Sequence, residues 1–341
     1  MFKFSIKALI ALACATPVLA TAPAFAQDPA YYKDKQFRMI IGFGAGGGYD
    51  RWGRALARHI GKYLPNGQQL VPQNMPGAGS IVALNHLTSV APKDGTVMAI
   101  VARDAPLAPL MGMKQAQFDP LKISWIGTPT KETNVCIATQ KSPVKTYDDL
   151  LKTEMLAGDT GPGTGTHVYP TVLREMLGLK FRLIAGYPSS TQVFLAMERG
   201  EVHGICESLD SVIAKDPKAI PEKRLHILFQ AGLKPDPKIP GVPMIFDLAK
   251  TEEQKQALRF LYAGQGIGRP FAAPPGLSPE ALKMLRDAFN KTMQDADFQA
   301  EAKKLNLDLE PETGETLAGL IRDIYATPKD VVAKVSAMMK K

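Results

Sequence analysis

The sequence predicts an α/β protein built from two doubly wound halves, in which strands alternate with helices. The chain is long enough to bury a large core, with 341 residues, 45% of them hydrophobic and 22% charged. A chain of this length usually divides into two domains. Strand and helix patterns alternate over the first hundred residues after residue 26 and begin again near residue 134. In each half, a glycine-rich segment follows one strand and precedes a helix.

The first 26 residues have the pattern of a Sec signal peptide. Lys3 and Lys7 precede an apolar stretch over 8–22, and Ala26 ends a small-x-small cleavage site. Cys14 lacks the upstream leucine of a lipoprotein signal, so we expect cleavage after Ala26 and a protein released into the periplasm. No later run approaches the roughly 20 apolar residues of a membrane-spanning helix, which excludes a polytopic membrane protein.

The first half shows strand, glycine turn and helix in regular order. The predicted elements are strands over 37–41, 69–72 and 95–101 and helices over 51–64 and 81–90. Ser80 stands immediately before the second helix, where a hydroxyl can cap the first turn. This alternation is typical of a parallel, doubly wound sheet.

The second half repeats the same alternation. The predicted elements are strands over 134–139, 156–158, 181–187, 202–206 and 225–230 and helices over 147–153, 168–177 and 190–199. Helices are also predicted over 251–260, 279–295, 316–325 and 329–339. We expect these C-terminal helices to pack on the first half as cladding rather than form a domain of their own.

The glycine-rich turns are typical of anion sites. They expose backbone N–H groups, and the positive end of the following helix dipole adds to the attraction. The first turn also fits the dinucleotide pattern G-x-G-x-x-G at Gly42, Gly44 and Gly47. However, no Asp or Glu lies between Asp50 and Asp94 to hold a ribose, which argues against a nicotinamide cofactor. No cofactor is therefore predicted.

Cysteine and histidine usage gives few signals. Cys136 and Cys206 both lie in apolar strand patterns, and the sequence leaves open whether they are buried thiols or a disulfide. The five histidines show no H-x-x-x-H or H-E-x-x-H spacing, so no metal site is predicted. The net charge is +8, but the basic residues are scattered, which argues against nucleic-acid binding.

The ordered set of motifs resembles the extracytoplasmic receptors of tripartite tricarboxylate transporters, the Bug-type solute-binding proteins. The loop F-x-x-G-G-x-x-D lies at 43–50, and N-x-P-G-A-G lies at 74–79. The segment A-P-K-D-G-T at 91–96 and the second loop G-x-G-T-x-x-H at 161–167 follow in the family's order. The run after Tyr187 and the strand at 200–204 complete the likeness, which covers most of the chain.

The resemblance implies a periplasmic binding protein of the Venus-flytrap type, type II-like, with a ligand cleft between two doubly wound α/β domains. It implies one domain over 27–130 plus 256–341 and a second over 131–255. The implied function is capture of a small organic carboxylate by domain closure and delivery to integral-membrane permease subunits. The receptor is expected to be a monomer without enzymatic activity. A receptor for a periplasmic sensor and a periplasmic hydrolase remain alternatives.

The expected ligand-binding residues come from the two loops and from strand ends. They are Phe43, Ala45, Gly46, Gly47, Gly48, Tyr49, Asp50, Arg103, Gly163, Thr164, Gly165, Thr166, His167, Tyr187, Ser189 and Glu207. Asp50 is expected to cap its helix or hold a water, because it would repel an anion. Arg103 is expected either to bind a carboxylate or to pair with Asp104. His167 either contacts the ligand or bonds locally.

The sequence departs from the family pattern at three places. Gly44-Ala45 replaces the usual Pro-Pro of the first loop, and His203 stands where an acid is common. Arg103-Asp104 replaces a pair that is usually small or hydroxyl-bearing. We expect these departures to affect which ligand is bound more than whether the chain resembles the family.

Overall fold

The computed structural model describes residues 29–339. The predicted signal peptide, Cys14 and the cleavage site after Ala26 lie outside these residues. The strands, in chain order, are β1 (Phe37–Ile41), β2 (Leu70–Asn74), β3 (Val97–Ile100), β4 (Ser124–Thr128), β5 (Asn134–Thr139), β6 (Met155–Gly158), β7 (Phe181–Ile184), β8 (Gly204–Ser208), β9 (Leu225–Ala231), β10 (Phe271–Ala273) and β11 (Glu312–Thr313).

Most helices lie between strands or follow the last long ones. They are α1 (Gly48–His59), α2 (Ile81–Ser89), α3 (Tyr147–Leu150), α4 (Gly165–Leu177), α5 (Ser190–Arg199), α6 (Leu209–Lys215), α7 (Glu252–Leu261), α8 (Pro279–Gln294), α9 (Ala296–Lys304), α10 (Gly314–Tyr325) and α11 (Lys329–Met338).

The strands form two separate sheets. Sheet A has the order β11-β4-β10-β3-β1-β2, and sheet B has the order β7-β6-β8-β5-β9. In sheet A, β1 pairs in parallel with β2 and β3, whereas β10 runs antiparallel to both β3 and β4. In sheet B, β6 pairs in parallel with β7 and β8, whereas β5 runs antiparallel to β8 and β9.

The two-sheet α/β class is confirmed, but each sheet is mixed rather than purely parallel. The strands β4, β10 and β11 were absent from the predicted elements. The segment 271–273 is short, and Glu312–Thr313 is polar, so neither shows the apolar alternation on which a prediction depends. The C-terminal segment therefore supplies two strands to sheet A besides its helices, which corrects the expectation of purely helical cladding.

The hydrophobic core has three parts. One cluster packs around Trp52 and Phe289 on one face of sheet A. Another packs around Val135 and Val193 on one face of sheet B. The largest cluster joins the other faces of both sheets, from Trp125 in β4 across to α4, α7 and α11. The two sheets thus share a continuous apolar region on one side.

Two helices begin earlier than the sequence predicted. The first turns of α1 and α4 start at Gly48 and Gly165, which the sequence assigned to loops because glycine is a weak helix former. Ser80 does not cap α2 with its side chain, and its backbone is left-handed (φ 70°). Its hydroxyl instead donates to the carbonyl of Gly42 and accepts from the N–H of Ala102, which ties α2 to the loops after β1 and β3.

Cys136 and Cys206 form a disulfide, which the sequence left open. The two residues are directly opposite each other in the antiparallel pairing of β5 with β8, with their Cα atoms 4.0 Å apart. Both side chains are fully buried. The bond therefore joins β8, the middle strand of sheet B, to its neighbour β5.

Candidate functional site

A small buried cavity lies where loops from both sheets meet. Its volume is about 40 Å³, enough for a few water molecules. Its lining comprises Phe43, Gly47, Gly48, Tyr49, Ala102, Arg103, Asp104, Asn134, Thr160, Thr164, Gly165, Thr166, Ser189, Ser190, Cys206, Glu207 and Arg269. Residues of both halves of the chain therefore share one site.

Three helices start at this cavity. The residues at their N-caps and first turns that line it are Gly47, Gly48 and Tyr49 of α1, Thr164, Gly165 and Thr166 of α4, and Ser189 and Ser190 of α5. The first N–H groups of a helix have no acceptor within the helix, and the helix dipole places partial positive charge at this end. Three such ends around one space form a site suited to an anion.

The carboxylate of Asp50, in the first turn of α1, stabilises the first glycine-rich loop. It accepts from the N–H of Gly46 at 2.9 Å and from the side chains of Arg54 (2.9 Å) and Asn74 (2.8 Å). Asn74 also donates to the carbonyl of Phe43. Asp50 therefore accepts the hydrogen bond that the N–H of Gly46 could otherwise donate to a ligand. It stabilises the loop from within α1 and does not cap the helix.

An aromatic pair forms one wall of the cavity. The rings of Phe43 and Tyr49 are stacked, with centroids 4.4 Å apart. The hydroxyl of Tyr49 accepts from the N–H of Arg103, and the Arg269 guanidinium lies 4.2 Å from the centre of the Tyr49 ring. Burial raises the pKa of Tyr49, so its hydroxyl stays protonated. Tyr49 thus holds both arginines in place.

The two arginines share one buried carboxylate. Arg103 lies 3.3 Å from Glu132, and Arg269 donates to the same carboxylate at 2.6 Å. Arg269 also donates to the hydroxyl of Ser211. All three charged side chains are almost completely buried, which leaves two positive charges against one negative charge in this group. Arg103 is therefore neither at the surface nor paired with Asp104, and Glu132 is its partner.

Asp104 belongs to a second buried group. Its carboxyl accepts from the Tyr169 hydroxyl at 2.7 Å, and that hydroxyl accepts from the side chain of Gln265. Burial raises the pKa of Asp104 above its usual range, which favours the neutral form. Since Tyr169 belongs to α4 and Asp104 follows β3, this chain of bonds joins the two halves beside the cavity.

Hydroxyl groups shape the second glycine-rich loop. Thr164 occupies the N-cap position of α4, but its hydroxyl donates to the carbonyl of Gly161 at 2.7 Å instead of capping the helix. Thr166 lies within hydrogen-bond distance of the hydroxyls of Thr164 and Thr160. His167 bonds locally to Asp159 at 3.1 Å, in agreement with the local alternative for this residue.

The structure brings ten of the predicted residues to the cavity and leaves six beside it. Ala45, Gly46, Asp50, Gly163, His167 and Tyr187 are not part of the lining. The loops of Gly46 and Gly163 instead meet the opposite half of the chain. Thr191 donates to the carbonyl of Gly46 at 2.9 Å, and Gly163 lies directly against Gly79.

Several lining residues were not in the predicted set. They are Ala102, Asp104, Asn134, Thr160, Ser190, Cys206 and Arg269. Ser190 stands beside the predicted Ser189, and Asp104 beside Arg103, so the sequence already indicated these regions. Arg269 and Asn134 lie next to the two points where the chain crosses between the sheets. Only the three-dimensional path of the chain brings them to the cavity.

The part of the chain that the structure describes contains neither a cluster of metal-binding side chains nor a membrane-spanning helix. Over residues 29–339, no three His, Cys, Asp or Glu side chains are grouped to hold a metal ion. Within the same residues, the helices are too short or too polar to cross a bilayer.

The family described as "Tripartite tricarboxylate transporter family receptor" matches residues 53–336. A relative from Cupriavidus necator, the UPF0065 protein in gbd 5'region, is 28% identical over 322 residues, which are 90% of this chain and 89% of the relative. A UPF0065 protein of Bordetella pertussis is 25% identical over 75% of this chain and 76% of its own length.

Solved structures share the fold. The periplasmic binding protein BugD has a TM-score of 0.72 at 20% identity, over 89% of this chain and 98% of that protein. MatC of Rhodopseudomonas palustris, solved with bound malate, has a TM-score of 0.70 at 18% identity, over 88% and 99% of the two chains. A second R. palustris protein, solved with adipate, has a TM-score of 0.69 at 16% identity, over 90% and 98%.

Proposed function

The chain belongs to the tripartite tricarboxylate transporter receptor family, and on this premise we propose that it captures a small organic carboxylate in the cavity between its sheets. The convergence of three helix N-termini on one buried space carries the proposal, because such ends attract anions. The guanidiniums of Arg103 and Arg269 also line the cavity and share the carboxylate of Glu132, and the side chain of Glu207 lies in the same lining. Malate and adipate, bound in two proteins of the same fold, are both carboxylates.

Capture by closure follows from the placement of the site. The lining comes from both halves, so a ligand satisfies all of its contacts only when the halves are together. Residues of both halves enclose the cavity, so a ligand enters when the loops separate and is enclosed when they come together. The proposed moving bodies are 27–130 with 256–341 and, separately, 131–255.

The proposal extends to location and partners. The signal-peptide pattern ahead of residue 27 supports export to the periplasm, where the receptor would deliver its ligand to integral-membrane permease subunits. The receptor is proposed to act as a monomer, without a cofactor and without chemical conversion of the ligand.

A binding screen tests the capture step. We expect one class of mono-, di-, tri- or aromatic carboxylate to raise the melting temperature of the purified exported protein. A ligand that binds only the folded state adds about 2.7 kcal/mol at a hundredfold excess over Kd. Arg103→Met should abolish the shift, whereas Arg199→Met, which removes an exposed arginine, should preserve it. Flat melting curves with every acid would contradict the proposal.

An uptake assay tests the delivery step. Cells that carry the receptor and its permease should accumulate the labelled acid found in the screen, and cells that lack either component should not. Unchanged uptake without the receptor, together with normal binding, would contradict delivery and favour a sensor. Conversion of the bound acid into another compound would instead favour the hydrolase alternative.

A further inference from the structure

Asn134 has an amide that no other described residue satisfies. It is the first residue of β5, lines the cavity and is only 1% exposed. Neither its Nδ2 nor its Oδ1 has a hydrogen-bond partner among residues 29–339. Buried side-chain amides are normally hydrogen-bonded, because leaving them unpartnered costs stability. The conclusion does not depend on the orientation of the amide, since both ends are unpartnered.

A second buried group faces the same cavity with an unpartnered donor. Among the described residues, the Nε of Arg103 has no partner, although its Nη1 pairs with Glu132. The lining of the cavity therefore offers two unpartnered donor groups, the Nε of Arg103 and the amide nitrogen of Asn134, and one unpartnered acceptor, the amide oxygen. A ligand that satisfies all three must accept hydrogen bonds and also donate one.

This requirement separates the candidate ligand groups. An ionised carboxylate only accepts, and so leaves the amide oxygen of Asn134 without a donor. An ammonium group only donates, and so leaves the amide nitrogen without an acceptor. A hydroxyl group both accepts and donates, and can satisfy both ends of one amide. A neighbouring carboxylate on the same ligand can then accept from the Nε of Arg103.

We propose that Asn134 is a specificity-determining residue that selects a hydroxyl-bearing carboxylate over the same acid without the hydroxyl. This inference rests on the proposed function, since it assigns a ligand class to the same cavity. It concerns a residue that contacts the ligand and not one that supports the fold.

Matched ligand pairs test the selection. Calorimetry on the protein purified from the periplasm would compare malate with succinate, 2-hydroxyglutarate with glutarate, and mandelate with phenylacetate. In the wild type, the hydroxylated member of the pair that fits the cavity should bind about tenfold tighter or better. In Asn134→Leu, which has a similar volume and no polar atoms, the preference should fall to about twofold or less, with the plain acid still bound.

Ser208→Ala provides a matched control. Ser208 lies directly opposite Asn134 in the pairing of β5 with β8, and its buried hydroxyl also lacks a partner among the described residues, but it does not line the cavity. Its removal should leave the preference unchanged. Melting without ligand separates a structural role from a ligand role: Asn134→Leu should melt no lower than the wild type, because it removes an unpartnered amide.

The outcomes are distinct. Equal binding of both members in the wild type, or an unchanged preference in Asn134→Leu, overturns the inference and leaves the proposed function intact. Tighter binding of aspartate than of malate also overturns it, because an ammonium group would then be preferred. Failure of every acid to bind overturns both. If Asn134→Leu does not fold, Asn134→Ala is measured against the same pairs, with the same loss of preference expected.

Discussion

At the scale of single residues, the site contains buried charged side chains whose loss of a partner would lower the stability of the folded protein. Glu132 accepts from Arg269 and lies within ion-pair distance of Arg103, and its side chain is fully buried. Removal of one partner from such a buried group leaves the other charge without compensation, which costs several kcal/mol.

Removal of the shared carboxylate tests this network. Glu132→Gln leaves two buried guanidiniums without a counter-charge, so we expect a loss of about 3 kcal/mol or more in the free energy of unfolding. Urea denaturation measures the loss. Glu201→Gln, which removes the partner of Arg199 at an exposed position, should change stability little. Equal effects of the two variants would show that the buried network does not support the fold.

The sequence predicted Arg103 as a site residue but not its partner. Position after an apolar strand is visible in a sequence, because the carboxyl ends of strands line the crevice of an α/β sheet. Glu132 and Arg269 are separated by 137 positions along the chain. No local pattern connects them, so their pairing depends on how the two crossovers between the sheets run side by side. The same reason explains why Asn134 was not predicted.

At the scale of elements, a chain of hydrogen bonds runs from α6 through α5 to the first glycine-rich loop, and its last bond joins the two halves. Lys215 at the end of α6 donates to the hydroxyl of Thr191 in α5 at 2.8 Å, and Thr191 donates to the carbonyl of Gly46 in the first loop. The Lys215 ammonium also lies 4.8 Å from the centre of the Phe194 ring. Burial, with a contribution from Arg51, lowers the pKa of Lys215 to about 8.

This lowered pKa predicts a pH dependence. Between about pH 8 and 10.5 the unfolded chain holds a proton at Lys215 that the folded protein has released, so folded stability relative to Lys215→Met should rise with pH. Denaturation of both proteins at several pH values measures the difference. Lys218→Met, at an exposed position, is the control. A difference that stays flat from pH 8 to 10.5, or falls, would contradict the assigned shift.

Element boundaries show where local sequence patterns stop being informative. The helix over 190–199 and the strand over 134–139 agree with the prediction because apolar spacing defines them at both ends. The starts of α1 and α4 were placed too late, since the glycines at 48 and 165 are poor helix formers that close packing requires. A side chain at Gly165 would lie 2.9 Å from Asp104 and 2.7 Å from Tyr169.

At the scale of the whole molecule, Gly79 of one half lies directly against Gly163 of the other. A Cβ on Gly79 would lie 2.5 Å from the backbone of Gly163, and Gly79 has a positive φ of 62°. The approach of the loops therefore depends on the absence of a side chain at this point.

Alanine variants at two glycines distinguish an effect on closure from an effect of backbone strain. Gly79→Ala should hold the loops apart and weaken ligand affinity by about tenfold or more, ~1.4 kcal/mol. Gly67→Ala carries a similar penalty for its positive φ of 64°, but a Cβ there meets nothing within 4 Å, so affinity should be unchanged. Calorimetry gives the affinities, and small-angle scattering gives the compaction on binding. Equal affinities in the two variants would show that this contact does not govern closure.

The division of strands between the sheets has a consequence for the order in which the molecule can assemble. All five strands of sheet B lie in one stretch from Asn134 to Ala231, whereas sheet A needs β10 and β11 from beyond residue 270. A chain that is synthesised N-terminus first therefore has every strand of sheet B available while β10 and β11 have yet to be made. Sheet A contains the first strands of the chain, yet it can be completed only after every strand of sheet B is available.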